Sequence, residues 1–311
     1  LNVNDLTIDN LNVQNAVAHT GGVIYIQGDV SIPGQPLLSL NGLSTNNTHA
    51  TGGGGGVIFS QQVISLHLQQ GNVFNASAIE SGGAIRLQEL ETSSPGPITE
   101  TTLQTVLIEQ FQVKHCTSSL KNGGFISVEF ALESFDFNGS MLLEACGANK
   151  NGGVFHINEA KNITLTNLTI DDTEALHGGV LYINSPPEML IAQGLVITNS
   201  RALQHGGVFY LQSSTDTIFT MTDSNVSECF ADGNGGVLFS SGSIMAILDD
   251  VTIGECISTL GGGLYLDDAT DAMLDIIGQS SFHDNTAAQG GAIFTQASVN
   301  VINDVTFVGN C

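Results

Sequence analysis

The chain has 311 residues, 37 of them Gly and none Trp, and its 6 Lys and Arg stand against 30 Asp and Glu for a formal net charge of −24. So acidic a surface repels nucleic acid and anionic membranes, and no run of 18 apolar residues is present to span a bilayer. Taken from the start, Leu1 to Ile8 alternates like a strand, and a Gly pair follows with its second member at Gly22. That pair returns with second glycines at Gly56, Gly83, Gly124, Gly153, Gly179, Gly207, Gly236, Gly262 and Gly291, most intervals lying near 28 residues. A recurrence of this kind over the whole chain marks a solenoid, in which each unit buries its core by stacking on the next.

The columns say what kind. Two residues after the second glycine stand Ile24, Ile58, Ile85, Ile126, Phe155, Leu181, Phe209, Leu238, Leu264 and Ile293, all apolar. One residue later the column is mixed, from Tyr25 and Phe59 through Arg86, Ser127 and His156 to Tyr182, Tyr210, Phe239, Tyr265 and Phe294. The first column therefore faces inward and the second outward, with the period of two that defines a strand. Further alternating stretches precede each Gly pair, such as "ITLTN" at 163–167 with "LTIDD" at 168–172, and "IFTMT" at 218–222. Two or three short strands per coil and no helical periodicity predict an all-β fold, a parallel β-helix of about ten coils. It forms one domain over 1–311, read as a segment of something longer.

The two long intervals predict insertion loops near 33–54 and 88–105, with "STNNTHATGGGGG" at 44–56 and "ETSSPGPITETT" at 91–102 as their tips. The prolines fall on the same side of the coil, where a missing N–H is harmless. The Gly pair itself reads as a corner that needs positive φ and no Cβ. No P-loop Lys follows "GGGGG" at 52–56, so a phosphate cradle is not indicated.

"FHDNTAAQGGAIF" at 282–294 joins an FxxN to a GGAI, and "SGGAI" at 81–85 and "FVGN" at 307–310 repeat the two parts. In these the chain resembles the repeats of the chlamydial polymorphic membrane proteins. The resemblance implies a right-handed parallel β-helix of the pectin-lyase-like kind and a role in surface display or adhesion. Most coils carry GGV rather than GGA, and no transporter barrel is present.

Cys116, Cys146, Cys229 and Cys256 each precede the second glycine of their coil by six to eight residues. They share one column and fall in two pairs from adjacent coils. A coil spacing of ~4.8 Å lies within disulfide range, so Cys116–Cys146 and Cys229–Cys256 bonds and an oxidising, extracellular or cell-surface setting are expected. Cys311, in the same place after "FVGN", is left to bridge to another molecule. Sequons at Asn46, Asn75, Asn138, Asn162, Asn167 and Asn225 make N-linked glycans possible partners.

Candidate chemistry is sparse. Asp171 with Asp172, Asp249 with Asp250, and Asp267 with Asp268 and Asp271 are the carboxylate groups a glycosidase would need, but adjacent strand residues point to opposite faces. No enzyme is expected. His177 and His205 precede successive Gly pairs and make at most half a zinc site. Asp267, Asp268 and Asp271 are weak candidates for Ca²⁺, and no other cofactor is implied. Tyr182, Tyr210, Phe239, Tyr265 and Phe294 predict an outward aromatic column, either a ladder that stacks on itself and covers its own sheet or an apolar stripe on which another subunit, a tail of the chain or a glycan docks. Together with the uncapped strand edges of the two ends, it points to an extracellular structural protein whose copies assemble into a filament or surface layer. An adhesin rod binding a receptor or glycan, and a carbohydrate-active enzyme, are the alternative readings.

Overall fold

The structure, a computed structural model, describes residues 5–27, 37–61, 65–88, 104–185, 187–212, 216–267, 272–296 and 298–311. Among them there is no helix; every strand pairing is parallel, and the strands stack as a β-solenoid of about ten turns with about 28 residues per turn.

Each turn has three faces. The first follows the Gly pair and holds strands such as Ile24–Ile26, Ile58–Ser60, Ile85–Leu87, Phe209–Gln212 and Leu264–Asp267. The second holds Leu37–Asn41, Met189–Gln193, Thr217–Thr222, Ile244–Asp249 and Met273–Ile277. The third holds Asn12–Gln14, Ser44–Ala50, Asn225–Ser227 and Ser281–His283. In the middle of the chain the faces run together as the continuous bent strands Ile126–Ala148 and Phe155–Ala175.

Three residues per turn in the left-handed region make the bends. Between the second and third faces they are Asn10, Gly42, Gln70, Gln110, Gly139, Asn167, Gly194, Asp223, Asp250, Gly278 and Asp304. Within the third face they are Asn15, Asn47, Asn75, His115, Ala145, Asp172, Asn199, Glu228, Glu255, Asp284 and Gly309. The third bend is the first glycine of each pair, for example Gly206 at φ 66°. The second glycine has a different reason. A Cβ on Gly207 would land on the carbonyl oxygen of Gly236, and one on Gly236 on that of Gly262. At this corner the backbone of the next coil leaves no room for a side chain.

The inward columns make one continuous core. On the second face Leu38, Leu66, Val106, Phe135, Ile163, Leu190, Phe219, Ala246 and Leu274 stack in register. Phe135, Phe137 and Phe155 fill its middle with ring centroids 4.9–6.3 Å apart. One expectation needs correcting. Most of the supposed insertion at 33–54 is strand, Leu37–Asn41 and Ser44–Ala50, in register with its neighbours on both sides. "STNNTHA" looked like a loop because its inward positions are the small polar Thr45 and Thr48, both buried. Residues 33–36, and 89–103 of the second insertion, lie outside the described residues.

Candidate functional site

The mixed column on the first face is a single ladder. In register from below come Tyr25, Phe59, Arg86, Ser127, His156, Tyr182, Tyr210, Phe239, Tyr265 and Phe294. From His156 upward the rings lie face over face, 4.9–5.5 Å apart and within 12° of parallel. This spacing is that of the coils themselves, so each ring covers the one below it. His177 packs on Tyr210 at 4.8 Å, and His205 on Phe239 at 4.7 Å.

Of the two readings of this column the structure has the self-stacked ladder, because Tyr210, Phe239 and Tyr265 keep only 7–8% of their surface exposed. Period two places these rings on the outer side of the sheet, and the imidazoles of His177 and His205 flank them there. The rings form a satellite cluster rather than a free docking surface.

Where the ladder lacks rings, polar groups are tied in. Arg86 donates through Nε and Nη2 to the two carboxylate oxygens of Glu129, each at 3.0 Å, and through Nη1 to Glu80 at 2.5 Å. Its guanidinium lies 5.6 Å from the Phe59 ring, and Lys121 reaches Glu80 at 3.3 Å. Above it, His156 contacts Ser127 Oγ through Nδ1 and the Asn122 amide through Nε2, both at 3.2 Å. Since that amide nitrogen can only donate, Nε2 accepts and Nδ1 carries the proton toward Ser127. Burial pushes the imidazole from its ordinary 6.5 down to about 4, with Glu129 pulling the other way. Ser127 has no exposed surface, so this serine–histidine contact holds the ladder together and presents no nucleophile.

His177 and His205 stack at 5.6 Å with planes 18° apart. Rings laid face to face do not converge their nitrogens on one ion. His205 Nδ1 also already accepts the Asn234 N–H at 3.0 Å. Among the described residues no group of three His, Cys, Asp or Glu is placed to hold a metal. Asp268 and Asp271 lie outside the described residues; Asp267 ends the strand Leu264–Asp267.

The paired aspartates belong to the bends. Asp172 and Asp250 are left-handed corner residues at φ 54°, a conformation Asp tolerates. Asp171 accepts from Thr198 Oγ1 at 2.6 Å and Asn199 Nδ2 at 2.9 Å, bonds that hold its carboxyl below the usual range. Asp250 Oδ1 accepts the Gln279 N–H at 2.7 Å. Asp171 and Asp250 thus hydrogen-bond to the neighbouring coil.

The buried column of the third face runs Cys116, Cys146, Thr173, Ser200, Cys229, Cys256, Asn285, Asn310. The four cysteines stack as Cys116 on Cys146 and Cys229 on Cys256. They are thiols in this structure, and burial pushes Cys116 and Cys229 well above the ordinary thiol range, each hydrogen-bonded to its neighbour. Cys311 is one residue off this column. It is exposed beside Thr286, Oγ1 to Sγ 3.6 Å, and Asn310 takes the inward place. The Asn of FxxN is thus a core residue, Asn285 bonding Asn310 and the Cys256 N–H at 2.9 and 3.0 Å.

Of the sequons, Asn46, Asn75, Asn167 and Asn225 are exposed, while Asn138 and Asn162 are half-buried. Asn138 also accepts from Thr166 Oγ1 at 2.6 Å. Two features escaped the sequence reading. One is the Arg86 network. The other is the second face's outer side, where Met189, Ile218, Met245 and Met273 stack in consecutive coils. Their spacings of 29, 27 and 28 residues follow the Gly pairs and were a usable signal. Comparison with family models, with curated proteins and with solved structures found no match for this chain.

Proposed function

We propose that this chain is a non-catalytic, structural β-solenoid that works outside the cell or on its surface, and that copies assemble axially by continuing one another's ladders. The observation that carries the reading is the unbroken ladder: among the described residues every strand pairing is parallel and the inward columns stack coil on coil into one core. A coil of another copy can continue the same pairing and the same apolar columns.

Extracellular placement is supported by the two stacked cysteine pairs, whose coil spacing suits disulfides, and by the exposed sequons. Winding is taken as right-handed, the hand of nearly all parallel crossovers and of the chlamydial repeats that the FxxN and GGAI motifs resemble. The test is electron microscopy of the 311-residue chain across a salt series. Net charge opposes stacking, so added salt should favour it. Fibres with an axial repeat near 50 Å, ten coils at ~4.8 Å, are expected. Discrete short rods at every salt concentration would overturn the assembly and leave the adhesin reading in its place.

A further inference from the structure

We infer that the outer side of the second face, over its upper coils, is a docking surface for a basic amphipathic polypeptide segment. Its centre is the external column Met189, Ile218, Met245 and Met273, with Ile191 and Ile247 beside it in the next outward column. Met189, Ile218 and Met273 are 38%, 43% and 38% exposed. Lower on the same face these two columns hold Ser65, Thr105, Ser134 and Asn162, and His67, Leu107, Asp136 and Thr164. The apolar character is therefore local to the upper coils. Three of the protein's five methionines stand in this one external ladder, and flexible thioethers accommodate varied apolar partners.

Charge selects the partner. Downstream of Arg201 the sequence contains thirteen Asp and Glu and no Lys or Arg. Asp216, Asp249 and Asp275 edge the ladder on the same strands or at their starts. Asp275 stands directly beside Met273 and Ile247; the residue is half-buried, and its Oδ1 has no hydrogen-bond donor among the described residues. An ammonium or guanidinium brought onto that carboxylate supplies the missing counter-charge. A second copy of this chain would instead set carboxylates against carboxylates. Four coils at ~4.8 Å give a strip about 14 Å tall, small beside the roughly 800 Å² per partner of a stable protein–protein interface. The surface suits the apolar face of one helix or strand flanked by Lys or Arg.

The test uses the full chain and a synthetic 18-residue helical peptide of Leu and Lys, with a Leu and Glu peptide of the same pattern as control, read by fluorescence anisotropy. Binding of the Leu and Lys peptide is expected, and Met245→Ser with Met273→Ser should weaken it at least tenfold without changing net charge. Asp275→Asn should weaken it several-fold, and Asp136→Asn, lower on the same face, much less. The proposal is overturned if the Leu and Lys peptide does not bind. It is equally overturned if the Met substitutions leave binding unchanged, which would mean attraction to net charge alone, or if they abolish self-association of the chain, which would make a second copy the occupant.

Discussion

Lowering the pH from 7 to 5 should weaken the fold through His156. In the folded chain burial holds this imidazole at about 4 against an ordinary 6.5, so between those values the unfolded chain binds a proton that the folded chain refuses. Stability is complete above the unfolded value and falls as pH drops from there toward 4. A gap of about 2.5 units at 1.36 kcal/mol each is worth about 3 kcal/mol in full, of which about 2 kcal/mol is lost between pH 7 and 5. His177 is depressed to about 4 as well, by burial and by the neighbouring His205, and adds a smaller loss of the same sign because it is half in water. Urea unfolding at pH 7, 6 and 5, followed by far-ultraviolet circular dichroism, reads the slope. Hydrogen exchange over 122–160 localises it, since a repeat array can open coil by coil. In His156→Phe with Ser127→Ala the Tyr182 stack keeps a ring and loses the titrating group without orphaning Asn122, which is half-buried. That variant should lose about 2 kcal/mol less than the parent on going to pH 5. A parent whose stability is flat from pH 7 to 5, or a variant that keeps the full slope, would refute the reasoning.

Four other outcomes follow from the same structure. Gly207→Ala drives a Cβ into the Gly236 carbonyl oxygen and should cost about 3 kcal/mol or more by denaturant unfolding, because backbone on both sides has to move. Gly194→Asn meets only the end of the Asn167 side chain in a column already occupied by Asn and Asp at positive φ, and should stay within about 1 kcal/mol. Arg86→Met strands Glu129 and leaves Glu80 with Lys121 alone, so a loss of about 3 kcal/mol is expected in the same assay. Under native conditions iodoacetamide should modify Cys311 and spare Cys116, Cys146, Cys229 and Cys256, which are buried; mass spectrometry showing rapid labelling of any of those four would contradict their burial.

The Gly corner and the first face were legible from the sequence because their constraint is absolute. No residue but glycine fits between the carbonyls of successive coils, and the position two residues on has no exit from the core. The other two bends were not legible. Their side chains point to water, so Asn, Asp, Gln, Glu, His and even Ala all serve at positive φ, and no single residue type marks the column. That tolerance explains why Asp172 and Asp250 resembled half of a catalytic pair: Asp recurs at these positions because it accepts the left-handed bend. Polar inward residues hid the strand Ser44–Ala50 for a related reason, since Thr45 and Thr48 fill small core positions that an apolar pattern would not reveal.

Exposure was the quantity that alternation alone could not supply. Tyr210 and Met245 both stand on outer sides of their faces, and a period of two treats them alike. The difference lies in what the neighbouring coils place beside them. Planar rings 4.9–5.3 Å apart cover one another and are flanked by His177 and His205. Flexible side chains alternating with Ile218 stack less completely, and Met189 and Met273 keep more than a third of their surface open. In a solenoid the side-chain shape repeated along a column therefore decides whether that column closes on itself or stays available. That criterion moves the candidate binding surface from the aromatic ladder to the methionine ladder.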